Sequence, residues 1–455
     1  MPLSNTDIDI WQARHAAQVK IIDEIIKSFE GYPKPMEKWQ IRIKATLLSL
    51  QEWSSEQFDF FLEGFEKGSI IDNHNYPAEY ALRRTVDQTA YDISVLQRAS
   101  SQRHPVIGSK SGIQALELAD KLAYKALQPA IDAQLLEKTT VITYFQKEPK
   151  VRVIPYAPIA LIGIPYTCVE VESDKTANFR DFLAIPHEVG HYVFWHGRKK
   201  YGANFKHSAN LGTLILNGVT PYPSTWYQSW VEEIFADIYS TLVAGPVSVL
   251  SLQDMLYDNL NLIDDYGHYP VPIIRPKTHF RVLQVMKEIA DEYMLGTLFP
   301  KILINKLERR WNNLLKKRGR LNIGLRFVVR SKQPDSQWVS REIATDYLDR
   351  TIEEVLNVIK DEMPKIVGQS WSSDTNKIGE LYKQFQANIL KDAFLPSPPD
   401  LIENNQWEAN NQHIQWFSHL KAASDNGLTL DPSVWTSLLQ AGWLSNGPED
   451  DAGPK

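Results

Sequence analysis

The strongest constraint on the fold comes from a long stretch of the chain that is almost free of charge. Residues 208–250, forty-three positions, contain only three charged side chains, which are Glu232, Glu233 and Asp237. A segment this apolar favours burial, and buried carboxylates must be matched by a cation. Glu233 and Asp237 lie four positions apart, which is about one turn of a helix. The sequence therefore predicts a buried helix whose carboxylates face a cation.

A second motif lies upstream, in the run His187-Glu188-Val189-Gly190-His191. On a helix, residues four apart lie one turn above each other, so both imidazoles can bind one tetrahedral Zn²⁺ at about 2.0–2.1 Å. Glu188 then projects beside the metal, where it can take a proton from water acidified by the ion and pass it to a leaving amine. The alternative is two helical histidines whose ring nitrogens are satisfied by the backbone or by water.

The third metal ligand decides which class of zinc site is possible. Cys168 is the one cysteine of the chain, which excludes Cys-rich metal sites. A metzincin needs glycine at position 194 and histidine at position 197, but Phe194 and Gly197 stand there. His196 lies one residue before the required position. It is interpreted either as a surface histidine or as one whose ring contacts a side chain that binds the metal. The third ligand is therefore expected to be a carboxylate on a separate helix.

The acidic helix supplies that carboxylate. Glu233 is predicted to bind the metal, while Asp237, one turn later, accepts the free ring N–H of a ligating histidine and orients its ring. Glu232 points about 100° away from Glu233 on a helix. It is the weaker ligand candidate, and a capping or substrate-side carboxylate is the favoured interpretation.

These two motifs together resemble the gluzincin branch of the zincin metallopeptidases, which carry H-E-x-x-H on one helix and E-x-x-x-D on the next. The form E-x-x-A-D is similar to that of the prenyl-protein endopeptidase type. The resemblance covers about residues 139–279 and implies a zinc site of His187, His191 and Glu233, with Glu188 as general base. Two features depart from these families. The gap from His191 to Glu233 is longer than in thermolysin, and no transmembrane helices accompany the motif, so the substrate class is not carried over.

In zincins, an edge strand that precedes the motif helix pairs with an extended substrate backbone. The apolar run Ile159–Pro165 is the predicted strand, with Leu161 and Gly163 as substrate-binding residues. Pro158 and Pro165 bracket the run, which suits an edge because proline cannot donate to a β-ladder. The alternative is a buried central strand.

A donor that stabilises the oxyanion is expected downstream of Glu233. Residues 266–275 contain suitable donors, and this segment loosely resembles the His-Pro…Arg segment that follows E-x-x-A-D in related gluzincins. His268 is favoured over Tyr266, and structural loop residues are the alternative. Arg275 is predicted to form a structural ion pair.

Composition excludes several partners for this chain of 455 residues. A net charge of −6 provides no global attraction to nucleic acid or to an anionic membrane. The longest apolar stretch, residues 157–169, is interrupted by proline and is too short to span a bilayer. The N-terminus lacks the basic start and apolar core of a secretory signal. We therefore expect a cytoplasmic protein without membrane insertion.

The predicted fold class is α+β, with a zincin-like core flanked by large helical regions. We expect a helical region at residues 1–138, the core with a small, mostly antiparallel sheet at 139–280, a second helical region at 281–394, and a linker with a C-terminal extension at 395–455. The predicted activity is zinc-dependent hydrolysis of a peptide or protein substrate. The alternative is a catalytically silent zincin scaffold that acts as a protein-binding or regulatory module. Nothing in the sequence indicates the oligomeric state.

Overall fold

The chain folds into an α+β structure that is mostly helical and contains small sheets. The computed structural model describes residues 5–30, 36–169, 178–201, 207–219, 228–257, 270–320, 327–329, 337–339, 341–367, 371, 375–389, 391, 395–401 and 411–442. Within these ranges, no helix combines the length and the apolar character that a membrane span requires.

Four long helices form the N-terminal part of the chain. Local signals explain their ends: the Ser109 side chain accepts a hydrogen bond from Gly112 N–H at the start of the fourth helix, and the second helix ends at Gly68 in the left-handed conformation. The helices are α1 (Asn5–Glu30), α2 (Lys38–Lys67), α3 (Ala78–Arg103) and α4 (Lys110–Asp132).

The remaining helices follow the first sheet. The two predicted motif helices are present as α5 and α7, and the final two helices lie in the C-terminal extension. Their bounds are α5 (Ile185–His196), α6 (Leu211–Gly218), α7 (Gln228–Ala244), α8 (Pro246–Tyr257), α9 (Arg275–Glu292), α10 (Lys301–Lys317), α11 (Arg341–Val358), α12 (Met363–Ile366), α13 (Leu381–Ile389), α14 (Gln412–Asp425) and α15 (Pro432–Gly442).

The main sheet has three strands, β1 (Thr140–Gln146), β2 (Lys150–Arg152) and β3 (Ile159–Pro165), in the order β1-β3-β2. Strand β3 pairs with β1 in parallel over seven positions and with β2 antiparallel over three. The prediction of a mostly antiparallel sheet is therefore wrong here. Two short antiparallel pairs lie elsewhere, β4 (Arg198–Tyr201) with β5 (His207–Asn210), and β6 (Phe327–Val329) with β7 (Gln337–Val339).

The prediction that Ile159–Pro165 forms a substrate-binding edge is also wrong. Leu161 is paired with Ile142 of β1 on one side and with Arg152 of β2 on the other. Gly163 is likewise enclosed, between Tyr144 and Lys150. Because both neighbours of β3 are protein strands, neither Leu161 nor Gly163 can pair with a substrate backbone. The edge next to the motif helix belongs to β2.

Strand β1 has its outer edge blocked by side chains of α3 and α4. The N–H of Thr143 donates to Asp120 at 2.7 Å, and Arg103 donates to the carbonyl of Thr143 at 2.6 Å. Gln102 accepts from the N–H of Phe145 at 2.7 Å and donates to its carbonyl at 3.0 Å. These bonds satisfy backbone N–H and C=O groups that would otherwise be available to pair with another strand.

Successive side chains of the sheet point to opposite faces and join two hydrophobic clusters. Val141 and Ile162 belong to a cluster that extends from α4 to α13 and surrounds α5 and α7. Ile142 and Leu161 belong to a second cluster, built with α1–α3 and with α14 and α15. The sheet is therefore buried on both faces, and the motif helices lie on one of them.

Helices α5 and α7 approach each other closely at Gly190. A Cβ atom placed on Gly190 would lie 2.7 Å from Cα and 3.1 Å from the carbonyl oxygen of Ala236. Contacts below 3.0 Å with backbone atoms do not occur without movement of the backbone. The glycine of the first motif and the alanine of the second thus allow the two helices to pack closely.

We expect Gly190→Ala to lower the free energy of unfolding by about 1–3 kcal/mol, because the added methyl group forces α5 away from α7. Urea denaturation measures this change. Gly218→Ala on α6 is the control, since the nearest atom to its new Cβ would be Glu354 Oε2 at 3.8 Å. Equal stability of the two variants would contradict the close packing of the motif helices.

Candidate metal centre

Three potential metal donors converge where α5 packs against α7. The Nε2 atoms of His187 and His191 lie 3.2 Å apart. His187 Nε2 lies 3.3 Å from Glu233 Oε2, and His191 Nε2 lies 3.5 Å from Glu233 Oε1. Four-residue spacing on α5 places the two rings on one face of the helix, with their planes nearly perpendicular, and Glu233 reaches them from the facing helix.

Each imidazole contacts a second carboxylate through its other ring nitrogen. His187 Nδ1 lies 3.0 Å from Asp237 Oδ1, and His191 Nδ1 lies 2.8 Å from Glu232 Oε1. Because an ionised carboxylate only accepts hydrogen bonds, Nδ1 of each ring carries the hydrogen. Once a ring is neutral, its remaining hydrogen on Nδ1 leaves the lone pair on Nε2, toward Glu233, which is the tautomer that a metal ligand needs.

Asp237 is held by a buried network that also reaches Glu233. Arg275, at the start of α9, donates to the Asp237 carboxylate through two nitrogens, at 2.9 and 2.7 Å, and lies 3.5 Å from Glu233 Oε2. His279 Nε2 lies 3.5 Å from Asp237 Oδ1, and its Nδ1 bonds to the Thr241 hydroxyl at 2.6 Å. Arg275 thus makes the structural ion pair that its sequence context suggested.

Charge and burial together shift the pKa values of these groups. Burial works to lower the pKa of His187, but the hydrogen bonds to Asp237 and Glu233 raise it to about 10. Burial works to raise the pKa of Asp237, yet Arg275 and His279 hold it well below its usual range. The pKa of Glu233 is lowered, because the two histidines and Arg275 outweigh its burial. A metal ion must therefore displace protons from the histidines as it binds.

Glu188 directs its carboxylate toward the edge of the sheet. Its Oε2 atom accepts a hydrogen bond from the backbone N–H of Val151 in β2 at 2.8 Å. The residue is almost fully buried, and it follows directly after one of the converging histidines. The general-base candidate is thus held by the backbone of strand β2.

The donor set fits zinc on two grounds. Three protein ligands of the His₂Glu type are found in catalytic zinc sites, and tetrahedral ligands at 2.0–2.1 Å from zinc lie about 3.3 Å from one another. The Nε2–Nε2 separation of 3.2 Å and the closest nitrogen–oxygen separation of 3.3 Å match that value. All three donor atoms lie within 4.8 Å of one another.

The charge of the site also favours a divalent cation. Carboxylates of Glu232, Glu233 and Asp237 contact the two histidines, and the guanidinium of Arg275 contacts Glu233 and Asp237. When the two histidines are neutral, as metal ligands must be, three carboxylates face one guanidinium in a largely buried region, and a cation offsets this excess of negative charge. Ionised carboxylates and neutral imidazoles are also the protonation states that metal binding requires.

The structure brings His187, His191, Glu233 and Asp237 into contact, and it places the carboxylate of Glu188 on the Val151 N–H. Leu161 and Gly163 lie in the central strand instead. The oxyanion candidates His268 and Tyr266 lie outside the described residues, so their predicted function stays a prediction.

Two features of the site were missed by reading the sequence. Val151 N–H holds Glu188 from a three-residue strand, and no sequence signal connects positions 151 and 188. Glu232 contacts His191, although it was assigned to capping or to the substrate side. No protein-family model, curated protein or solved structure matches the chain.

Proposed function

We propose that the chain is a zinc-dependent metallopeptidase with a zincin-like core, which hydrolyses peptide bonds in a peptide or protein substrate. The observation that carries this proposal is the convergence of three donors, His187, His191 and Glu233, together with Glu188 directly after His187 on the same helix. A structural metal site needs no further carboxylate next to the ion, whereas hydrolysis needs a proton acceptor there. The resemblance of both motifs to gluzincins supports the same reaction.

Each residue of the site has a defined task in this proposal. Bound Zn²⁺ supplies the Lewis acidity that polarises a carbonyl and lowers the pKa of water to roughly 7. Glu188 takes up the proton of the attacking water on its carboxylate and delivers it to the leaving amine. Its hydrogen bond to Val151 N–H fixes the carboxylate in place. Asp237 holds the ring of His187, and Arg275 keeps Asp237 ionised.

Strand β2 is the strand of the main sheet beside which an extended substrate is placed in this proposal. The outer edge of β1 is filled by side chains of α3 and α4, and β3 is enclosed. Strand β2 has β3 on one side, and on the other side its Val151 N–H points to Glu188. A peptide bound beside β2 would therefore lie near the general base, but it would not pair with the Val151 N–H, which already donates to Glu188.

One observation favours a second candidate, a catalytically silent scaffold with a structural metal. Glu188 is bound to a backbone N–H, and such a bond can also serve only to tie α5 to β2. In that case the metal and Glu188 stabilise the fold, and a partner protein binds elsewhere. This candidate predicts zinc binding without cleavage of any peptide.

Cleavage of a peptide library separates the two candidates. We expect the purified chain with zinc to cut peptides in the library, to lose this activity after chelation, and to recover it when zinc is returned. Mass spectrometry of the new termini would also define the preferred side chains. Zinc binding with no cleavage in any library would support the silent scaffold, while cleavage that persists after complete removal of metal would contradict both.

A further inference from the structure

We propose that Glu232 and Trp195 form a positioning pair that orients His191 toward the metal, as Asp237 does for His187. This inference rests on the proposed zinc site and adds two residues to it. It also replaces the capping or substrate-side interpretation of Glu232.

One oxygen of Glu232 connects the two residues. Glu232 Oε1 accepts a hydrogen bond from His191 Nδ1 at 2.8 Å and another from Trp195 Nε1 at 2.8 Å. The indole nitrogen can only donate, and the carboxylate can only accept, so the direction of each bond is unambiguous. Trp195 therefore fixes the position of the carboxylate, and the carboxylate fixes the ring of His191.

The arrangement follows from the geometry of the two helices. His191 and Trp195 are four residues apart on α5, so they share a face, and Glu232 lies opposite them on α7. The Glu232 side chain is 24% exposed, and the solvent could satisfy its charge without either partner. Its carboxylate nevertheless bonds to both donors, and a carboxylate held in this way can keep the His191 ring in one orientation.

The pair has a clear consequence for metal binding. A hydrogen bond to Nδ1 selects the tautomer with a free Nε2 lone pair and makes that nitrogen a better ligand. Loss of a residue that supports a metal ligand in this way typically weakens metal affinity or activity about 10- to 100-fold. Because the Nδ1 atom of each histidine contacts a carboxylate, both rings are oriented before the metal binds.

We expect Glu232→Ala to weaken zinc affinity about 10- to 100-fold, as measured by competition with a chromophoric chelator. Glu232→Gln keeps an acceptor oxygen but loses the charge, so it should fall between the parent and Glu232→Ala. Trp195→Phe removes the donor that holds the carboxylate and should have a smaller effect than Glu232→Ala. Glu117→Ala, which truncates an exposed glutamate on α4, is the matched control and should bind zinc as the parent does.

Tryptophan fluorescence provides a second readout, which does not depend on peptidase activity. Zinc binding to His191 changes the charge next to the Glu232–Trp195 pair, so the emission of Trp195 should change during zinc titration. The difference between the parent and Trp195→Phe isolates this signal among the 13 tryptophans of the chain. The signal should also shrink in Glu232→Ala.

The outcomes distinguish this inference from the proposed function. If the parent binds zinc and folded Glu232→Ala and Glu232→Gln bind it equally well, the positioning pair is wrong and the zinc site stands. If the folded parent binds no zinc, both are wrong. A thermal melt of each metal-free variant shows whether it is folded, and Trp195→Phe provides a test that keeps the carboxylate if Glu232→Ala fails to fold.

Discussion

Replacing Glu188 with glutamine is expected to lower kcat about 10²- to 10⁴-fold, the range that a general base contributes. Glutamine has nearly the same shape, and its side-chain oxygen can still accept the hydrogen bond from Val151 N–H. It cannot take up a proton from water at neutral pH. Activity should therefore fall while the fold and the bound zinc are retained. The measurement is steady-state cleavage of a peptide found in the library screen, with zinc content determined on the same sample.

Glu117→Gln on the exposed side of α4 is the matched control, and it should leave kcat unchanged. If Glu188→Gln retains the activity of the parent, Glu188 is not the base. If the variant loses zinc together with activity, Glu188 contributes to metal binding instead. Each of these outcomes would require a different assignment of the residues around His187 and His191.

Replacing Arg275 with methionine is expected to lower the free energy of unfolding by about 3–5 kcal/mol, because it removes the main positive partner of two buried carboxylates. Arg275 donates twice to Asp237 and lies close to Glu233, and all three side chains are buried. Guanidinium denaturation of the metal-free chain measures the effect. Arg281→Met is the control on the same helix, and it should cost about 1 kcal/mol or less, since Arg281 pairs with the exposed Glu353.

The double variant Arg275→Met with Asp237→Asn sharpens this prediction. Removing the charge of Asp237 relieves part of the repulsion that Arg275→Met creates, so the two changes together should cost less than their sum. Added zinc should also recover part of the stability of Arg275→Met, because a ligand that binds only the folded chain stabilises it. A loss of stability no larger than that of Arg281→Met would contradict the view that Arg275 balances the buried carboxylates.

The two motif helices and the donors on them could be predicted because helical spacing is a local property. Four-residue spacing places His187 next to His191, and the same spacing places Glu233 next to Asp237. The absence of other charges in residues 208–250 indicated that these acids are buried. Such signals require no knowledge of which elements are neighbours.

Strand β3 shows why the sheet was predicted less well. Its apolar sequence and flanking prolines fit an edge strand and a central strand equally, since only the tertiary fold decides what pairs with it. The parallel partner β1 and the short strand β2 enclose it. A three-residue strand such as Lys150–Arg152 has too little sequence for a periodic signal.

Sequence patterns also could not predict the hydrogen bonds and ion pairs that surround the three donors. Glu232 and His191 are 41 positions apart, and Arg275 and Asp237 are 38 positions apart. Each contact depends on how α5, α7 and α9 pack. The same holds for the C-terminal extension, where Leu430 forms a bridge with Ile70 of the N-terminal part.

Elemental analysis of the purified chain tests most directly whether His187, His191 and Glu233 hold zinc. The chain is loaded with zinc, freed of excess metal by desalting, and compared with folded Glu233→Ala treated in the same way. We predict one zinc per parent chain and a clear loss of zinc in the variant. A folded parent chain that retains no zinc, or a Glu233→Ala variant that retains zinc as tightly as the parent, would contradict the proposed metal centre.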